Sequence, residues 1–306
     1  MKNGSAYNSY GVRFMNGIPV ILDTDRHATN GPLSLFLETA PEIDLLGLII
    51  PDEKQVHDNF YDQFDAAEPI CRDIPKAIGY GAPIRKKQNT EQCAAGSDGI
   101  VRAADFISDI IKKTDEKVNI ITCGPLTDMA IFLLSYPELK GRINNICILG
   151  GAILTGDATP IGEYNICRDP EAASIVFDSG APITMFGLEL QQKVLMTKQE
   201  KDLFRNAVNN CARFGEKNGS SMHEFIESWI HTAIPVMYLL NPRLFKTQAC
   251  HVEVDLYGEY TRGSTVVDLL HISEHPANVN VVLDVDRENF FKSLRAFTTT
   301  GECLKS

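Results

Sequence analysis

The sequence predicts an α/β fold with a mainly parallel central sheet flanked by helices. Short apolar runs recur along the chain, segments with helical spacing of apolar residues separate them, and polar or glycine residues follow the runs. Strands that alternate with helices in this way build parallel sheets covered on both faces. Composition agrees: the 306 residues are 44% hydrophobic and 23% charged, the profile of a soluble globular protein with a sizeable core.

Taken in order, the first 16 residues are polar and rich in Gly and Asn, and read as an N-terminal extension to a single domain spanning 17–306. Pro19–Asp23 (PVILD) is the first buried-strand candidate and Leu45–Ile50 the second. Lys117–Thr122, Ile146–Leu149 and Ile183–Gly187 continue the series, with Val101–Lys113, Leu126–Ser135 and Pro170–Ser179 as the intervening helices. Lys198–Phe214 and His223–Leu240 read as long helices. His251–Leu256, Thr265–Leu270 and Val279–Asp284 are spaced like an antiparallel or mixed appendage, and Arg287–Phe297 as a closing helix.

Charge and targeting narrow the function. A net charge of −11 argues against nucleic-acid binding, which needs clustered cations. No apolar run is long enough to span a bilayer, and Met1–Gly17 has no apolar signal region, so a cytoplasmic protein is expected. The 8 cysteines are scattered without zinc-type spacing and read as reduced thiols. There is no phosphate-binding glycine loop and no nucleophile elbow.

In a parallel sheet, ligands bind at the carboxyl ends of strands, so function is sought just after each apolar run. Asp23-Thr24-Asp25 follows the first strand and suits a hard cation or a general base, or else a solvated turn or helix cap. The Gly-rich stretch after Leu149 holds Asp157, Glu163 and Asn165, types that grip vicinal hydroxyls; an ordinary loop, with Asn165 and Asp169 capping the Pro170 helix, is the alternative. His231 lies on a helix beside apolar neighbours, where a core histidine is the commoner outcome.

The order of motifs adds more than any one of them. ILDTD, TCGPLTDMA, GDATPIGEYNICRDPEAASIVF, WIHTAIPVMYLLNPRLF and GEYTRGSTVVDL follow one another from about Pro19 to about Phe297. This pattern resembles the nucleoside hydrolase family of the inosine–uridine-preferring type. The resemblance implies the family's α/β fold, a homodimer or homotetramer, a small-molecule nucleoside substrate, and hydrolysis of the ribose–base bond aided by calcium. It implies Asp25 as general base and His231 as leaving-group acid. It gives Asp157, Glu163, Asn165 and Thr29 to ribose, and Tyr164 to the base pocket. Asp25, Asn30, Thr232 and the Cys123 carbonyl fall at the metal-ligand positions.

The departures from the family pattern define a further expectation. Thr29, Asn30 and Thr232 stand where the family has carboxylates; Asp157 stands where it has Asn; Pro51-Asp52-Glu53 replaces its Val-Gly-Asn. Calcium takes about six to eight oxygen ligands and its affinity follows their charge, so a weakened metal site is expected. Three readings stay open: a hydrolase with a rebuilt site, a silent relative that binds a nucleoside or ribose, and a structural or interaction subunit that uses only the fold.

Overall fold

The computed structural model describes residues 17–24, 40, 42–50, 74–85, 102–202 and 222–300. The extension 1–16 and most of the expected helix Lys198–Phe214 lie outside them. The described residues form a 9-stranded sheet in the order β3-β2-β1-β4-β5-β6-β9-β7-β8. Its strands are β1 (Ile18–Asp23), β2 (Ile43–Ile50), β3 (Lys76–Ile78), β4 (Val118–Thr122), β5 (Ile143–Leu149), β6 (Ile183–Phe186), β7 (Phe245–Val254), β8 (Thr265–Asp268) and β9 (Val279–Val285). β1 to β6 pair in parallel, and β9 adds to β6 in parallel. β7 runs antiparallel to both β9 and β8, which is the mixed appendage the spacing predicted.

Helices α1 (Ala103–Lys113), α2 (Thr127–Ser135), α3 (Tyr164–Arg168), α4 (Pro170–Asp178), α5 (Leu188–Lys193), α6 (Met222–Leu240) and α7 (Arg287–Thr300) complete the described elements used below. Side chains alternate across a strand, so each strand feeds two cores. Val20 and Leu22 join the apolar faces of α6 and α7. Ile21 points the other way, into a core with Phe106, Ile107, Met129, Phe132 and Val176 from α1, α2 and α4. A strand buried on both faces favours apolar residues at successive positions, which explains the runs Val20–Leu22 in β1, Ile120–Ile121 in β4 and Ile146–Leu149 in β5.

Several strands differ from the sequence reading: β2 begins two residues earlier than expected, β5 three residues earlier, β8 ends two residues earlier, and β3 and β7 depart further. β3 is only three residues long, too short for a periodic signal. β7 begins at Phe245, six residues before the expected His251, because the consecutive polar residues Lys246, Thr247 and Gln248, partly open to water, interrupt the apolar pattern.

Candidate active site

In the strand order, the chain reverses direction of growth at β1: β2 and β3 lie on one side, β4, β5 and β6 on the other. A crevice opens outside the carboxyl ends at such a switch point. Asp23 and Thr24 end β1 there, and Cys123 follows β4. The Cys123 amide donates to the Asp23 carbonyl at 3.0 Å, joining the two strand ends. Thr24 is locked by its amide and hydroxyl, which both donate to the Ile49 carbonyl, at 3.0 and 2.7 Å. Asp23, Thr24 and Cys123 are all buried. Asp25, Thr29 and Asn30 lie outside the described residues.

The loop after β5 meets this point through Asn165. Its Nδ2 donates to the carbonyls of Cys123 (3.2 Å) and Leu149 (3.0 Å), tying the end of β4 to the end of β5. Two carbonyl oxygens fix which end of the amide faces them, because only the NH₂ can donate. The Cys123 carbonyl assigned to the metal therefore already accepts one hydrogen bond.

Glu163 is buried beneath the same loop. Its Oε1 accepts from the Asn165 amide at 2.9 Å, and its Oε2 accepts from Gly151 at 2.9 Å and Ile166 at 3.1 Å. It thereby caps α3 and holds the start of the loop at once. Burial pushes its carboxyl up to about 7; the amide donors oppose that rise and nearby Asp157 adds to it. A Cβ at Gly150 would stand 3.0 Å from Glu163 Oε2, a tight contact that would press on this carboxylate. Asp157 is exposed, and its Oδ1 accepts from the Tyr164 amide at 2.7 Å. Between them the Gly162 carbonyl accepts from the amides of Asp157, Ala158 and Thr159, closing a compact knob. Asp157, Glu163, Tyr164 and Asn165 thus form one hydrogen-bonded unit.

His231 and Thr232 sit together on α6, half-buried and buried respectively, and α6 packs against β5. Pro235 lies inside this helix. It has no N–H, so the carbonyl of His231 loses its regular helical donor.

Asp128 and Glu189 escaped the sequence reading, and Asp169 does more than the cap it was read as. Asp169 does cap α4, through Ala172 at 3.2 Å, but its Oδ2 also accepts from Ile84 (2.9 Å) and the Thr127 hydroxyl (2.6 Å). Asp128, on α2, accepts from the Tyr80 amide at 2.6 Å, and burial raises its carboxyl to about 7. Glu189, on α5, accepts from Ile153, Leu154 and Thr155. Searching after every apolar run would have reached Asp128 and Glu189, which follow β4 and β6 closely.

Comparison with known proteins aligns with this arrangement. A model of the inosine-uridine preferring nucleoside hydrolase family matches residues 20–292. The pyrimidine-specific ribonucleoside hydrolase RihA of Shewanella sp. (strain ANA-3) is 30% identical, covering 92% of this chain and 98% of its own. The pyrimidine-specific ribonucleoside hydrolase RihA of Escherichia coli O1:K1 / APEC is 29% identical, covering 89% of this chain and 96% of its own. Among solved structures, an inosine-guanosine nucleoside hydrolase superposes with a TM-score of 0.74 at 22% identity, over 92% of this chain and 98% of that one. A purine-preferring ribonucleoside hydrolase from Gardnerella vaginalis gives 0.73 at 24% identity, over 94% and 98%. These two structures bear on the fold alone.

Proposed function

The chain belongs to the inosine-uridine preferring nucleoside hydrolase family, and from that premise we propose that it hydrolyses the N-glycosidic bond of a ribonucleoside to ribose and free base. The observation that carries the reading is the convergence of β1, β4 and the Asn165 loop at the switch point of the sheet. Asp25 takes a proton from water as the water oxygen bonds to the anomeric carbon of ribose. The carbon–nitrogen bond breaks, and the departing base nitrogen takes a proton from His231. Ribose gains oxocarbenium character in that step, a positive charge that nearby carboxylates favour. Asp157, Glu163, Asn165 and Thr29 hold the sugar, and Tyr164 borders the base.

The metal fits these residues poorly. Of the family's carboxylate ligand positions, Asn30 and Thr232 here are neutral, and the Cys123 carbonyl is shared with Asn165. No step above runs through calcium, and its affinity here is proposed to lie near the weak end of the range. The same neutral residues favour a second reading, a silent homologue that binds a nucleoside or ribose. Reduced thiols at Cys147, Cys167 and Cys250 support a cytoplasmic setting. Exposed Tyr257, Tyr260, Leu270 and Ile272 near β8 support assembly with further copies of the chain.

A panel of purine and pyrimidine ribonucleosides, assayed for free base with calcium and with chelator, tests the proposal. Release of base from at least one is expected. No release, with a nucleoside or ribose bound in calorimetry, transfers the case to the silent reading.

A further inference from the structure

Five successive main-chain amides after β5 donate to side chains from elsewhere in the fold: Gly151 to Glu163, Ala152 to the Thr265 hydroxyl, and Ile153, Leu154 and Thr155 to Glu189. The last three bonds converge on a single oxygen, Glu189 Oε1, at 2.9, 2.7 and 3.3 Å. Successive N–H groups pointing one way make a concave anion seat, and here the chain's own carboxylate fills it. Leu154 and Thr155 are exposed, so little apolar burial holds this stretch. Glu189 Oε2 is buried and, among the described residues, takes no hydrogen bond.

The stretch leads directly into the knob that bears Asp157. That knob is closed internally by the Gly162 carbonyl and stands on two stems. Glu163 and Asn165 hold the outgoing stem, and Glu189 and Thr265 the incoming one. A rigid knob on two stems pivots when one is released. We infer that Glu189 is a positioning residue: by seating the amides of Ile153–Thr155 it sets where Asp157 stands over the ribose site. This rests on the hydrolase reading above. It assigns to the strand end of β6 a part in sugar binding without contact to the sugar.

Charge and shape make separable demands. A glutamine at this position keeps one carbonyl oxygen for the three amides but places an NH₂ where Oε2 lacks a partner. An alanine leaves the seat empty. Gly187 lies against the same carboxylate, where a Cβ would stand 3.3 Å from Glu189 Oε2 and 3.1 Å from the Gly151 carbonyl.

The experiment compares the full-length wild type, Glu189→Ala, Glu189→Gln and Gly187→Ala, in steady-state kinetics on whichever nucleoside the wild type cleaves and in amide hydrogen exchange. For Glu189→Ala we expect KM to rise about tenfold with kcat changed far less, and exchange at Ile153–Thr155 to accelerate. Glu189→Gln should recover most of the KM, and Gly187→Ala should move KM in the same direction as alanine at 189. An unchanged KM in Glu189→Ala overturns the inference, as does unaltered exchange at those amides. Loss of folding in Glu189→Ala also overturns it, because the residue is then a structural one. If the wild type cleaves no nucleoside, the hydrolase reading fails on its own, and exchange still decides whether Glu189 anchors the loop.

Discussion

At the carboxyl ends of β4, β5 and β6, the acids Asp128, Glu163, Asp169 and Glu189 all accept main-chain amides. Around the antiparallel flank several acids meet cations, although Asp255 and Asp268 there accept main-chain amides as well. Glu171 takes both arms of its bond from Arg262 at 2.9 and 2.7 Å, Glu200 is gripped by Arg287 at 2.9 and 2.8 Å, and Asp284 lies between Lys193 and Lys246. The difference has a chemical consequence. A cation cancels the charge of its partner, whereas amides orient a carboxylate and leave the net charge in place. At the end of the sheet where ribose is proposed to bind, Asp169 and Glu189 thus meet no cation among the described residues, while burial raises Glu163 and Asp128 to about 7, so that those two carry only part of their charge at neutral pH. A carbocation-like transition state gains from such a field. The flank gains cross-links between elements.

If this contrast is right, removing an amide-accepting acid costs more than removing a cation-paired one. Asp169→Ala should be the most damaging single change. It releases the Ile84 amide, strands the buried Thr127 hydroxyl and takes the cap from α4. A stranded buried hydroxyl costs about 1–3 kcal/mol and a lost cap about 1 kcal/mol, while the exposed Ile84 can turn its amide to water, so a loss of about 2 kcal/mol or more in urea unfolding is expected. A loss no larger than that of an exposed ion pair, below about 1 kcal/mol, would erase the distinction between the two regions.

The sequence reveals the parallel half well and its loops poorly, for one physical reason. A strand buried on both faces is written as consecutive apolar letters, so Ile18–Asp23, Val118–Thr122 and Ile183–Phe186 lie within a residue or so of the expected bounds. Helix α4 was marked in advance by Asp169-Pro170, a cap followed by proline at the first helical turn. The site acids carry no such local mark. Glu163 suits a sugar hydroxyl by type, yet its oxygens also serve amides at 151, 165 and 166. Asn165 reaches carbonyls 42 and 16 residues away, a pairing that only the strand order creates. Glu189 drew no attention because its partners lie across the sheet end, at 153–155.

Glu163 offers a test of intermediate size, read through pH. Its carboxyl sits at about 7 in the fold against 4.5 for the free side chain, chiefly because burial disfavours the anion. Folding therefore takes up a proton between those values, and linkage fixes the sign: its contribution is full below pH 4.5 and is lost as pH rises toward about 7. Glu163→Gln cannot titrate. Its stability should be lower overall, since one carbonyl replaces two acceptor oxygens, but its decline over that window should be shallower than in the wild type. The slope that remains belongs largely to Asp128, which burial shifts in the same direction. An unchanged slope in Glu163→Gln would mean that the amide donors hold this carboxylate ionised throughout.

Glu200→Gln sharpens the comparison from the other side. The Arg287 guanidinium holds the Glu200 carboxyl down at about 2, so its contribution is present above 4.5 and is lost as pH falls through about 2. The Thr197 amide and hydroxyl also donate to Glu200 Oε2, and the Glu200 amide donates back to the Thr197 hydroxyl at 3.3 Å. A glutamine can keep that reciprocal cap, so the substitution removes little besides the charge. Arg287 is 39% exposed, and water screens the pair. The expected cost at neutral pH is therefore small, about 0.2–1 kcal/mol, and it should shrink in high salt. Asp169→Ala, measured beside it, should keep its full cost in salt, because the buried Ala172 amide and Thr127 hydroxyl, with the Ile84 amide, hold that carboxylate rather than a screened cation. If salt weakens both variants alike, the acids at the strand ends are held by mobile charge after all, and the field proposed to favour the ribose cation is not built into the fold.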